Sequence, residues 1–134
     1  MAKIHNIPRG ADIHKAIIEI ATKERIATAK VVGIGGVDRA RIGYFNTRAK
    51  KYEEHDYRGF MEVTSLLGNI TSKDGGPFLH VHGTFGRRDM SVIGGHLISA
   101  RVMPILEVVI TPTTNRALRR FDEAVGLNVI YRVS

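Results

Sequence analysis

The chain has 134 residues, with 20 Lys and Arg against 13 Asp and Glu, six His and 14 Gly, and it contains neither Cys nor Trp. With 43% hydrophobic and 25% charged residues, it fits a single domain over residues 1–134 that buries its own core, and it is too apolar for a disordered tail. The lack of cysteine excludes a disulfide framework, a thiolate zinc site, an iron–sulfur cluster and a Cys nucleophile, so any metal has to sit on His, Asp or Glu.

The first residues, Met1 to Asn6, lack a long apolar core of the secretory kind, and no stretch approaches the ~20 apolar residues of a membrane span. The sequence therefore reads as a cytoplasmic protein with no membrane partner. Its net charge of +7 invites nucleic acid, because cations placed on phosphate release counterions. Yet the cations run from Arg9 to Arg132, and the densest stretch (Arg39, Arg41, Arg48, Lys50, Lys51) has only Tyr44, Phe45 and Tyr52 among it. A solvated, soluble surface explains such diffuse charge equally well.

In chain order, Asp12 is placed to cap a helix in which Ile13, Ala16, Ile17, Ile20 and Ala21 recur at three- and four-residue spacing, through about Ile26. Lys15 stands where a capping box would want Glu, so the start rests on Asp12. Segments of β character follow at 29–34, 41–46, 59–70, 78–85, 92–100 and 105–111, separated by Gly-rich or polar turns. Links this short leave no room for crossover helices, so the strands pair antiparallel. Leu118, Phe121 and Val125 lie at helical spacing before Gly126 and predict a second helix closed by that glycine; residues 127–133 read as a last strand. The sum is an α+β fold, mainly antiparallel sheet flanked by helices.

The glycine run Gly33-Ile34-Gly35-Gly36 leads into another strand instead of opening a helix, so it is a turn or bulge and not a dinucleotide loop. His80-Val81-His82 differs, because two residues two apart on a strand share one face. A turn centred on Arg88 sets His80 opposite His96, Leu79 opposite Leu97 and Phe78 opposite Ile98, gathering three imidazoles on one wall. Three neutral imidazoles hold zinc with a fourth position open to water or a ligand, a set suited to Lewis-acid chemistry. Gly83, Gly94 and Gly95 leave space beside them. The competing reading is that these histidines pack or hydrogen-bond in a half-buried strand. Glu62 and Glu107 lie among apolar strand residues. They are candidates to complete a metal shell, to act as a general base, or to pair with an Arg such as Arg101.

Several ordered motifs resemble the plants-and-prokaryotes-conserved domain: residues 59–70, Pro77-Phe78-Leu79-His80-Val81-His82, Gly94-Gly95-His96-Leu97 and Glu107-Val108-Val109. Arg9-Gly10-Ala11-Asp12 and Gly43-Tyr44-Phe45 also fit. The resemblance implies an antiparallel sheet with helices, a homotrimer, a histidine-bound metal in some prokaryotic members, and a fold similar to acetolactate decarboxylase, whose zinc is held by three histidines. The family's histidines fall on His80, His82 and His96. Two features depart from the plant members, which bind DNA: no Arg-Gly-Arg-Pro hook is present, and Phe60 follows Gly59 where the plant motif has Arg.

Two functions follow from these residues and the resemblance, the homotrimer from the resemblance alone. One is a homotrimeric, zinc-binding protein with a DNA-associated or regulatory role. The other is a metal-dependent lyase or hydrolase acting on a small oxo or hydroxy acid, with its substrate in a concave pocket beside the metal and a carboxylate or Arg within reach. A closed structural metal site ranks below both, since only three good ligands are present.

Overall fold

A computed structural model describes all of residues 1–134. Its elements run β1 (Lys3–Ile7), α1 (Ile13–Lys23), β2 (Ala29–Asn46), β3 (Lys51–Lys73), β4 (Gly76–Gly86), β5 (Val92–Pro112), β6 (Ala117–Asp122) and β7 (Leu127–Val133). Strand β2 lies antiparallel between β3 and β5, and β4 pairs with both β3 and β5. These four strands therefore close on one another. Strand β1 extends the far half of β5, while β6 touches β3 at a single parallel bridge and pairs with β7.

Two pairs of expected strands are halves of longer ones: 29–34 and 41–46 both belong to β2, and 92–100 and 105–111 both belong to β5. Bulges explain the continuity. The register shifts between Gly33 and Gly35 and between Val37 and Arg39, which bends a strand without ending it. The Gly33–Gly36 run is thus a bulge inside β2. Strand β1, which the sequence reading left out, is short, with Ile7 buried and Ile4 exposed.

The single helix forms as its spacing demands, burying Ile13, Ile17 and Ala21 against the sheet. The Asp12 carboxylate accepts from the Lys15 N–H at 2.9 Å and from the Ala100 N–H at 3.0 Å. One side chain therefore caps α1 and ties it to β5. The helix ends at Lys23, short of Ile26, because Arg25 turns into the left-handed region (φ 55°) and the Ile26 N–H bonds back to the Ala21 carbonyl. Beneath it Phe85, Leu66, Val31, Val108 and Val81 are sealed from solvent; full burial of a side chain such as Phe85 contributes about 2–3 kcal/mol.

The expected second helix is absent. Residues 117–122 form β6, with Ala117 and Arg119 turned inward and Phe121 paired with Asn128 of β7. Three apolar residues at helical spacing cannot outweigh a neighbouring strand that supplies a ladder of backbone partners. Gly126 has φ +82° and closes this hairpin instead of a helix.

On the outer face, opposite the core, the register aligns Ile4, Val109, Val32, Leu67 and His82 in one row across β1, β5, β2, β3 and β4. Ile4 and Leu67 are more than half exposed there.

Candidate metal centre

His80 and His82 stand two apart on β4 and share its outer face. His96 lies directly opposite His82, not His80. The turn between β4 and β5 spans residues 87–91, closed by the Arg87 N–H to the Ser91 carbonyl at 2.8 Å, so it centres on Asp89. The register is therefore two residues away from the expected one. A shift of two preserves the face, and the three rings still meet. The β4–β5 ladder stops at His82 and His96, so the expected Leu79–Leu97 and Phe78–Ile98 pairs do not form; Leu79 pairs with Ile70 and His80 with Asn69, both on β3.

Ring centroids lie 5.1 Å apart for His80 and His82, 5.6 Å for His80 and His96, and 5.5 Å for His82 and His96. One nitrogen from each ring lies within 4.8 Å of the other two, and His80 Nε2 is 3.2 Å from His82 Nε2. Zinc–nitrogen bonds of about 2.0–2.1 Å in a tetrahedral shell place ligand nitrogens about 3.3 Å apart. The first pair already has that spacing, and a small rotation brings in the third. His96 Nδ1 is buried without any hydrogen-bond partner, and the Tyr52 ring stacks on His96 at 4.4 Å and 21°. Burial, aided by His80 and His82, pushes His96 down to about 4; burial, then His82 and Arg119, lowers His80 as well. Both are neutral at pH 7, the state in which imidazole binds metal. The set is thus fit to hold a divalent ion.

These rings open onto a cavity of about 690 Å³. Phe45 and Tyr52 form one side of it, Phe78 lies along β4, and Arg119 with residues 127–130 forms the opposite wall. The tips of the β2–β3 and β6–β7 hairpins meet. A Cβ on Gly126 would lie 2.7 Å from Lys50 Cβ, and Lys50 Nζ donates to the Glu123 carbonyl at 3.4 Å. Of the three glycines expected to make room, only Gly95 lines the cavity. Gly83 and Gly94 instead admit the Phe85 ring and the neighbouring strand, since a Cβ would come within 2.8 Å of each.

The other candidates lie elsewhere. Glu62 and Glu107, both exposed, line a shallow groove with Ile34, Thr64 and Ile105. Arg101 pairs bidentately with Asp38 at 2.8 and 3.1 Å, and with neither glutamate. In the densest basic stretch, Arg41 is held by Glu54 and Asp56 at 2.9 Å each, and Arg39 lies 4.0 Å from Asp56. Sequence reasoning missed Arg119 and the aromatic wall. The available signal was Leu118-Arg119-Arg120-Phe121 and Leu127–Val133 flanking a polar turn, a hairpin pattern masked by the helical spacing.

These features define an α+β protein that carries a three-histidine cavity on the outside of a closed antiparallel sheet. The chain belongs to the Plants and Prokaryotes Conserved (PCC) domain family, whose profile matches residues 3–114. The β6–β7 hairpin follows the matched segment. A metal-containing protein from Archaeoglobus fulgidus is similar over 98% of this chain and 94% of its own, at 34% identity and TM-score 0.93. A candidate DNA-binding protein from Bacteroides thetaiotaomicron is similar over 96% of this chain and 90% of its own, at 32% identity and TM-score 0.93. The α-acetolactate decarboxylase of Bacillus subtilis strain 168 shares the fold over 95% of this chain and 59% of its own, at 16% identity and TM-score 0.63. No curated protein matches the chain.

Proposed function

We propose that this protein is a metal-dependent binding protein in which His80, His82 and His96 hold a divalent ion, zinc, at the edge of a cavity that takes a small organic molecule. The observation that carries this is the convergence of three imidazoles, two of them kept neutral by burial, on one cavity of about 690 Å³. Cavities of this size suit small ligands. The metal-containing relative from Archaeoglobus fulgidus supports the metal. An ion there would supply a fixed Lewis-acid charge that draws a ligand oxygen toward the histidines. Around it, Tyr52 orients His96 by stacking, and the β6–β7 hairpin lines the cavity with Arg119 and residues 127–130. Elemental analysis is expected to find one equivalent per chain, and none after the double substitution His80→Ala, His82→Ala. Stoichiometric metal in that variant refutes the site.

The working unit is a homotrimer in this proposal. Its support is the outer-face apolar row Ile4, Val109, Val32 and Leu67, whose two end residues are more than half exposed, the kind of surface at which chains associate. Sedimentation equilibrium giving a monomer mass overturns it.

A second reading, a lyase or hydrolase on a small oxo or hydroxy acid, is favoured by Arg119 in the triad's cavity. Against it, no Asp or Glu lines that cavity to serve as general base. A DNA-associated regulatory role draws support from the net charge of +7 and from the Bacteroides thetaiotaomicron relative. It requires duplex binding that weakens steeply as salt rises, and flat or absent binding at low salt removes it.

A further inference from the structure

Arg119 is 8% exposed, and its guanidinium has no carboxylate partner. Nε donates to Thr71 Oγ1 at 2.8 Å, Nη1 to the Asn128 carbonyl at 2.8 Å, and Nη2 to Asn69 Oδ1 at 3.1 Å. All three acceptors are neutral. Guanidinium has five N–H donors, so one on each terminal nitrogen is left without a protein acceptor. Most cations that this fold does pair are at the surface, where pairing contributes little. The one cation it buries lacks a counter-charge, which is costly unless an anion arrives.

The surroundings place that missing anion. Arg119 lines the same cavity as the three histidines, and Asn69, which holds Nη2, pairs across strands with His80. The guanidinium lies 5.3 Å from the centre of the Phe78 ring, another wall of the cavity. Three fixed bonds pre-orient the fork, so little entropy is lost when a ligand meets it. Phe78, Phe45, Leu127 and Val129 leave the space between apolar. A planar anion with a short apolar body fits these walls better than a strongly hydrated one.

We propose that Arg119 is the recognition residue for the cavity's ligand, and that the ligand is a small organic acid whose carboxylate sits on Arg119 while a second oxygen function faces the histidines. The proposal deepens the metal-dependent binding reading and rests on it for the second oxygen alone; the Arg119 contact itself needs no metal.

The test uses 2-oxobutanoate, its uncharged counterpart 2-oxobutanamide, and inorganic phosphate as probes. Each is titrated into zinc-loaded and chelator-stripped full-length protein, with calorimetry for affinity and 15N shifts of the Arg119 guanidinium as a site-specific readout. The acid is expected to bind about 10- to 100-fold more tightly than the amide, the range for hydrogen bonds to charged groups. It should also shift the Arg119 signals in both protein forms. In Arg119→Met the acid-to-amide ratio should fall to near one while amide affinity persists, which loss of packing alone does not produce. If that variant does not fold, the wild-type shifts decide. Equal affinity for acid and amide, or saturation by the acid with no Arg119 shift, overturns the proposal, and so does phosphate shifting Arg119 where the acid does not. If the chain holds no zinc yet the acid still shifts Arg119, the metal reading fails and this one stands.

Discussion

Replacing Gly126 by alanine tests whether the two hairpin tips truly clasp the cavity. Gly126 has φ +82°, where an L side chain costs about 1–2 kcal/mol. Its new Cβ would also meet Lys50 Cβ at 2.7 Å and the Lys50 carbonyl oxygen at 3.0 Å. These atoms are fixed to the backbone, so the turns have to separate, and overpacking of this kind costs about 1–3 kcal/mol more. Gly75 is a matched control, with the same φ of +82° and nothing within 4 Å of its Cβ. Unfolding entropy of about 2.1 cal/mol/K per residue gives roughly 0.28 kcal/mol/K for a chain of this length. Gly75→Ala should therefore lower Tm by about 4–7 °C, and Gly126→Ala by about 7–18 °C. If the strain is relieved locally instead, the excess appears as lost amide-exchange protection confined to β6 and β7. Calorimetry and hydrogen exchange on both variants separate these outcomes. Equal Tm shifts with β6–β7 protection intact in both would show that the tips do not clasp.

Zinc affinity should resist acid better than three ordinary histidines allow. Burial holds His96 near 4 and lowers His80, so at pH 5.5 fewer protons compete with the ion than three ordinary imidazoles would take up; a competition titration as steep in pH as for three unperturbed imidazoles contradicts this. The same depression acts on stability, because below pH 6.5 the unfolded chain takes up a proton at His96 that the folded chain refuses until about pH 4. Metal-free protein should thus lose Tm progressively from pH 6.5 to 4, and a flat profile there rules the burial effect out. Asp12→Ala removes the cap of α1 and the acceptor for the Ala100 N–H, costing about 2 kcal/mol in urea unfolding, with Asp12→Asn costing less; no change would place α1 elsewhere. Phe85→Ala, at a fully buried position, should cost about 3–5 kcal/mol, and a loss under 1 kcal/mol is incompatible with the core described.

Local chemistry settled what lies within one element or across one turn. The spacing of Ile13, Ile17 and Ala21 and the carboxylate of Asp12 define α1 unaided, because i and i+4 residues share a face whatever the helix packs against. Likewise, His80 and His82 share a face through the two-residue period of a strand, and His96 joins them under any even register. That parity explains why the triad survived a ladder misplaced by two residues. Tertiary structure alone decided the rest. Whether 117–122 is helix or strand depended on β7 offering backbone partners, and the continuity of β2 and β5 through their bulges depended on neighbours that hold both halves. Arg119 lies 39 residues beyond His80 and 23 beyond His96 in sequence, and no period relates it to them. Only the docking of the last hairpin against the tip of β2 and β3 brings that uncompensated charge into the cavity, so the residue we assign to ligand recognition was the one sequence pattern could not supply.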